Sequence, residues 1–214
     1  MIRLVTTTAD TSPKPFEPGT TGWTASDLDD PAIEREWFRG RYEIVEGVLT
    51  KRPPAYFTGG ESLFKLMVQV HQHCEAHGPK GSFATEVDIV IDEPRVAVSD
   101  AVFLTAEQRV RQDEASRRAG KKDAERTRIL IPPLLIIEST SPGHELHDRR
   151  TKLRWYAEFG VANYWILDAF DRKLDCYVLE SGNYRSDQSG GQSDELRPSA
   201  FPGLAIRLSE LWHD

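Results

Sequence analysis

Residues 134–137 are a short apolar run, Leu-Leu-Ile-Ile, and Glu138 follows at once. A run of this length and composition reads as a buried strand. A carboxylate leaving such a strand is costly to desolvate unless a partner or a metal meets it. Residues 139–143 then read as a turn, with Pro142-Gly143 as its punctuation. From about Glu145 the period becomes helical and runs to Phe159, where Gly160 stops it. Asp148, Lys152 and Tyr156 fall four apart on that helix and share one face. Residues 163–167 form a second strand candidate ending on Asp168. A β-α-β unit with an acid leaving its first strand and a lysine on the following helix predicts a site, not ordinary packing.

A chain of 214 residues is long enough for one well-buried domain and short for two. No stretch of eighteen apolar residues occurs, so no membrane-spanning segment is expected. The first twenty residues lack the apolar core of a signal peptide. Cys74 and Cys176 lie in apolar-patterned segments and read as reduced, buried thiols, which predicts a cytoplasmic protein. The formal charge of −7 opposes nonspecific approach to DNA unless charge is segregated. It is uneven: residues 109–128 carry eight cations against four acids, +4 in all, leaving about −11 elsewhere. That insertion, 106–128, reads either as a solvated loop or as a basic arm for a phosphate backbone, with Arg117, Arg118, Lys121 and Lys122 as its nucleic-acid contacts.

Residues 1–22 show no periodicity and are expected to form a loose tail, with a single domain over 23–214. Residues 24–37 predict a short helix. Residues 41–53 predict a hairpin turning at Glu46-Gly47, with Glu43 and Glu46 as turn or strand acids. Residues 58–77 predict an amphipathic helix with Leu63, Leu66, Met67, Val70 and Cys74 as its buried stripe. His71, His73, Cys74 and His77 are poorly arranged for zinc, since adjacent helical positions diverge and no second ligand cluster is near. Strands are expected at 81–91 and 95–104, the second carrying Asp100 inside an apolar run, where it needs a partner, backbone donors or a metal. After Asp168, residues 173–179 should pair back as a hairpin, a short strand lies near Tyr184, and 186–193 reads as a polar loop. Residues 205–212 close the chain as a strand or short helix.

Asp100, Glu138 and Lys152 converge on one chemistry. Two carboxylates from neighbouring strands suit a hard divalent cation such as Mg2+, with Mn2+ as a substitute. Such a cation lowers the pKa of a bound water and stabilises charge on a phosphoryl oxygen, and a lysine assists that charge. The order YEIVEGVL, VSDAVFL, LLIIESTSP and HDRRTKLRWYAEFGVANYWILD resembles the Uma-two type of restriction-endonuclease-like family, which is itself similar to the PD-(D/E)XK nuclease fold. The resemblance covers most of residues 24–212. It implies an α/β fold, a restriction-endonuclease-like mixed β-sheet flanked by helices. It also implies an endonuclease acting on nucleic acid, DNA in the first instance. The oligomeric state is open, although cutting a duplex is easiest for a homodimer. Carried over residue by residue, Asp100 and Glu138 become metal ligands, Lys152 the catalytic lysine, Asp148 and Tyr156 its supports, and Glu43 and Glu46 further acids. In the broader pattern a lysine stands two residues after the glutamate, where this chain has Thr140. Ser99 stands where the family often has proline. His144 and His147 are further candidates for a general base or a metal ligand. Two rival readings keep the same fold, one a non-catalytic binding or assembly module, the other a metal-dependent hydrolase of a small phosphoester.

Overall fold

Thr24 and Asp27 close a reciprocal capping box over a 3-10 turn, Ala25–Asp29. Pro31 then starts α1 (Pro31–Arg39), with the Asp30 side chain accepting from the Ala32 N–H. The helix expected over 24–37 is therefore split where proline can begin a helix but not continue one. The computed structural model describes residues 14–54, 56–120, 128–140 and 147–212, the side chains of 147 and 148 excepted. Residues 14–22, expected as part of a loose tail, lie against the first hairpin. Phe16 packs edge-on to Trp23 and Tyr42, and the Gly19 N–H donates to Leu49 O.

That hairpin is β1 (Tyr42–Val45) and β2 (Val48–Lys51), turned at Glu46 and Gly47 with φ 50° and 78°. Two positive φ values are what a tight two-residue hairpin with the sheet's twist requires. α2 (Phe57–His77) buries Leu63, Leu66, Val70 and Cys74 on one stripe, so Cys74 is a core residue, and His73 Nε2 lies 3.2 Å from Pro202 O. β3 (Gly81–Asp92) and β4 (Arg95–Thr105) form a long antiparallel ladder. A Thr105–Gln108 capping box then opens α3 (Ala106–Arg118). The charged insertion is thus half helix. Gln112 and Ser116 are buried, and Gln112 bonds Arg128 O and the Leu130 N–H, docking α3 beside β5 (Arg128–Ile129). Lys121 and Lys122 lie outside the described residues.

β6 (Leu135–Ser139) is the predicted buried strand. A π-helical turn, His147–Lys152, runs into α4 (Leu153–Phe159), and Gly160 at φ 92° ends it. β7 (Asn163–Asp168) lies parallel to β6, completing the β-α-β unit. β8 (Lys173–Glu180) and β9 (Asn183–Gly191) extend the sheet as an antiparallel meander. The stretch 186–193, expected as a polar loop, is mostly strand. β10 (Glu195–Leu196) and β11 (Ile206–Arg207) make a small second sheet near the C-terminus.

Among the described residues the main sheet has nine strands, ordered β2-β1-β4-β6-β7-β8-β9, with β3 along β4 and β5 on β3. One face packs on α2 and the C-terminal segment through residues such as Phe103, Ile137, Trp165 and Phe201. The other packs on α4 through Val102, Ile136, Tyr156, Tyr164 and Ile166. A third cluster, with Trp23, Trp37, Ile44 and Val98, sits under the N-terminal segment.

Two features of β4 create a site. Its edge changes partner: Val96 pairs with Ile44 of β1, whereas Ala101–Phe103 pair with β6. Backbone groups between those contacts must find other partners, because an unpaired buried peptide group is costly. In addition, β3 and β4 change which alternate residues face α4. Ala84 and Val102 pack on that side at one end of the ladder, and Val87, Ile89 and Ala97 at the other. The change falls at Glu86 (φ 52°) and Asp100, between the pairs Thr85–Ala101 and Val87–Ser99. A carboxylate in mid-strand is tolerated here because a guanidinium and a backbone N–H meet it.

Candidate active site

Asp100 comes from the irregular point of β4 and Glu138 from β6. Extending the Ala101–Ile137 register by one residue sets them opposite each other. The Asp100 carboxylate accepts the Ser139 N–H at 2.8 Å through Oδ2. Glu138 is 1% exposed, and its Oε1 accepts from Tyr156 Oη at 2.7 Å. Burial, and then the neighbouring Glu138 charge, push the Tyr156 phenol well above its ordinary pKa, so it stays a donor to that carboxylate. Tyr156, expected to support Lys152, therefore supports Glu138.

Lys152, 2% exposed, stands at the join of the π-helical turn and α4. Its Nζ lies 3.0 Å from Glu43 Oε1 and 3.2 Å from Glu138 Oε2, and it donates to Val98 O at 3.1 Å. Glu43 Oε1 in turn accepts the Val98 N–H at 3.0 Å. The peptide groups of Val98, at the fork of the β4 edge, are thus satisfied by site side chains rather than by a neighbouring strand. Lys152 stands beside Glu138 where the broader pattern has a lysine from the strand itself. Thr140 is turned to β7, its N–H donating to Leu167 O at 2.9 Å.

The sequence left Glu43 and Glu46 alike as hairpin acids, and the structure separates them. Glu43 is 3% exposed and inside the cluster. Glu46 is in the turn, where it pairs with exposed Arg154 at 3.3 Å and accepts from Trp155 Nε1, away from the cavity. Asp148 has its backbone in the π-helical turn. His144 lies outside the described residues. Arg117 and Arg118 are at the C-terminal end of α3 and do not line the cavity, Arg118 lying 3.7 Å from Glu114 of its own helix.

Arg52, which sequence reasoning passed over, is the further member. It follows β2, with its N–H donating to Arg41 O at 2.6 Å and Pro53-Pro54 next. Its guanidinium reaches Asp100 Oδ1 at 2.9 Å, Glu86 Oε2 at 3.2 Å and Glu43 Oε1 at 3.5 Å. Burial works to lower its pKa, but the fields of Glu43, Asp100, Glu138 and Glu86 outweigh that and raise it, so it is permanently charged. Glu43, Asp100, Glu138, Arg52 and Lys152 all line one cavity of about 260 Å³, whose wall includes Arg41, Lys51, Tyr56, Gly59 and Gly60. Gly59 lets α2 approach β6 there: a Cβ on it would come within 2.8 Å of Ser139 Oγ. α2 begins at this cavity with no side-chain cap on its first turn.

The donor set fits magnesium by chemistry. Asp100 and Glu138 offer carboxylate oxygens across adjacent strands, and this ion takes one or two carboxylates while keeping its waters. Among the described residues no three Asp, Glu, His or Cys side chains converge as a metal cage, so a closed all-protein site of zinc type is not what this arrangement offers.

The chain folds as a mixed α/β domain in which acids from two strands meet a buried lysine. It aligns with the crystal structure of a putative nuclease belonging to DUF820 from Anabaena variabilis ATCC 29413, with a TM-score of 0.60 and 13% identity over 81% of this chain and 90% of that one. The chain belongs to the Uma2 family, described as putative restriction endonuclease, whose model matches residues 35–209. No curated protein matches the chain. Among the described residues, no helix is long and apolar enough to cross a membrane.

Proposed function

We propose that this chain is a magnesium-dependent endonuclease hydrolysing phosphodiester bonds of DNA, with Asp100 and Glu138 as the metal ligands and Mn2+ able to replace Mg2+. The observation that supports this most is Lys152 Nζ, buried within 3.2 Å of both Glu43 and Glu138 on a cavity that Asp100 also lines. A buried ion cluster drawn from β1, β4, β6 and the π-helical turn is a poor way to stabilise a core, since desolvation offsets most of its attraction. Such groups in a cleft are better explained by chemistry.

Bound by Asp100 and Glu138, the metal would supply a water of lowered pKa and neutralise charge on the phosphoryl oxygens. Lys152 fixes the orientation of Glu138 from one side while the Tyr156 hydroxyl fixes it from the other. Its ammonium also places a positive charge beneath the carboxylates, where negative charge builds on the reacting phosphate. Arg41 and Lys51 line the cavity, and the uncapped first turn of α2 adds its partial positive charge, which suits a phosphate backbone. Exposed Tyr56 and Phe170, in edge contact at 5.4 Å, with Phe57 beside them, offer a surface for unstacked bases. Arg117 and Arg118 are exposed cations in the last turn of α3 and would be further phosphate contacts, and a two-fold dimer would present two such sites to a duplex. Buried free Cys74 and Cys176 are compatible with a reducing, cytoplasmic setting.

The test is incubation of wild type and Glu138→Ala with supercoiled plasmid and with single-stranded DNA, in Mg2+, in Mn2+ and in EDTA. Cleavage by the wild type in either metal, none in EDTA, and background only for Glu138→Ala is expected. Metal binding with turnover of a small phosphodiester but no DNA cleavage would favour the phosphoesterase reading, to which the net charge of −7 is better suited. DNA binding without any hydrolysis would leave a non-catalytic module of the same fold.

A further inference from the structure

We propose that Arg52 is a built-in competitor of the divalent cation: its guanidinium holds the Asp100 carboxylate, and a metal binding there displaces it toward Glu86. This rests on the metal-dependent reading of the site, and it adds a regulatory residue that the reading does not require.

Among the described residues Asp100 has two partners, the Ser139 N–H on Oδ2 and Arg52 on Oδ1. The first is a backbone donor fixed by β6. The second is a side chain on the segment after β2, and the oxygen it holds, Oδ1, is the one not committed to the backbone. A guanidinium 2.9 Å from that oxygen sets a full positive charge where a dication would approach, and the two cations repel. Arg52 is suited to substitute for a dication because its planar fork spreads one charge over several acids, here Asp100, Glu86 and Glu43.

Withdrawal has a destination. The guanidinium already touches Glu86 Oε2 at 3.2 Å, and Glu86 is about half exposed, at the point where β3 changes face. Arg41 pairs with the other Glu86 oxygen at 3.2 Å and holds that carboxylate in place. Arg52 can therefore release Asp100 and keep an ion pair, moving its charge toward Glu86 and Arg41. The acids explain why something cationic must be there at all. Glu43 and Glu138 share Lys152, and without Arg52 the side chain of Asp100 would face them with no cation of its own among the contacts described. The metal-free fold is stabilised by Arg52, and metal affinity is correspondingly reduced.

The experiment compares wild type, Arg52→Gln, Arg52→Lys and Glu138→Ala by calorimetric Mn2+ titration and by thermal unfolding in EDTA and in Mn2+. Arg52→Gln is expected to bind Mn2+ about tenfold tighter than wild type or more. Its midpoint should fall in EDTA and recover in Mn2+, because a ligand that binds only the folded state stabilises it. Arg52→Lys, which keeps the charge but not the fork, should lie between the two in affinity. If Arg52→Gln folds only with Mn2+ present, the proposal is supported. If it folds in neither condition, Arg52→Lys decides, and wild-type affinity in that variant would overturn the proposal. Equal or weaker binding by Arg52→Gln, with wild-type binding that depends on Glu138, would overturn the role of Arg52 alone. No binding by wild type or by any Arg52 variant would remove the metal reading and this inference with it.

Discussion

Asp88 is buried on β3, where Trp37 Nε1 donates to its Oδ2 at 2.9 Å and Arg128 Nε lies 3.7 Å away. Burial pushes its carboxyl up to about 7, more than Arg128 and the Trp37 hydrogen bond pull it down. Between the ordinary carboxylate range and pH 7 the folded chain therefore keeps a proton that the unfolded chain has released, so this group lowers stability as pH rises through that window. Asp88→Asn keeps an acceptor for Trp37 and lacks the titration. The wild type should lose stability relative to Asp88→Asn between pH 4.5 and 8, by on the order of a few kcal/mol, read from urea midpoints at both ends. A constant difference across that range would show that Asp88 stays ionised. Residues differ in how legible they were. Asp100 and Glu138 stood out because a charge inside or against an apolar run is expensive, and Lys152 because it follows at helical spacing. Arg52 gave no local signal, since its partner Asp100 is 48 residues away. Arg128 looked like one more cation in a basic loop. It is 7% exposed and bonded to Leu28 O, Asp29 and Glu34, and counting charges cannot reveal burial.

Among the elements, the π-helical turn ahead of α4 sets where Lys152 points. Arg149 ties that turn to β8 through Asp175 Oδ2 at 2.6 Å, and Ser189 and Lys173 hold the other Asp175 oxygen. Burial works to raise the Asp175 pKa, but these hydrogen bonds from Ser189, Arg149 and Lys173 outweigh it and hold the carboxyl below its ordinary value. Asp175→Ala should cost about 1–3 kcal/mol, and it should weaken Mn2+ binding as Lys152 and Glu138 lose their fixed relation. Calorimetry together with urea unfolding checks both, and full metal affinity at reduced stability would show that the turn holds without this anchor. The β-α-β unit and the first hairpin were readable because period and turn chemistry agree there. β9 was not, because its Ser, Gly and Gln have low strand preference and its ladder with β8 overrides that preference. The α3 helix had a readable signal in Thr105-x-x-Gln108, outweighed by the charge of what followed.

For the whole molecule, the net charge of −7 makes any DNA binding depend on where the cations lie. Arg41 and Lys51 line the cavity, while exposed Arg117 and Arg118 end α3. Replacing both Arg117 and Arg118 by Ala should leave the fold intact and reduce the slope of log affinity against log salt by about two. An unchanged slope would remove α3 from the binding surface. Deleting the whole insertion is a poorer test, because Gln112, Ser116 and Arg128 are built into the core. The most direct measurement of the proposed metal site is anomalous scattering from crystals soaked in Mn2+. A peak between the carboxylates of Asp100 and Glu138, with Arg52 turned to Glu86, is the expected result. Saturating Mn2+ with no peak between those carboxylates, and Arg52 still on Asp100, would contradict it.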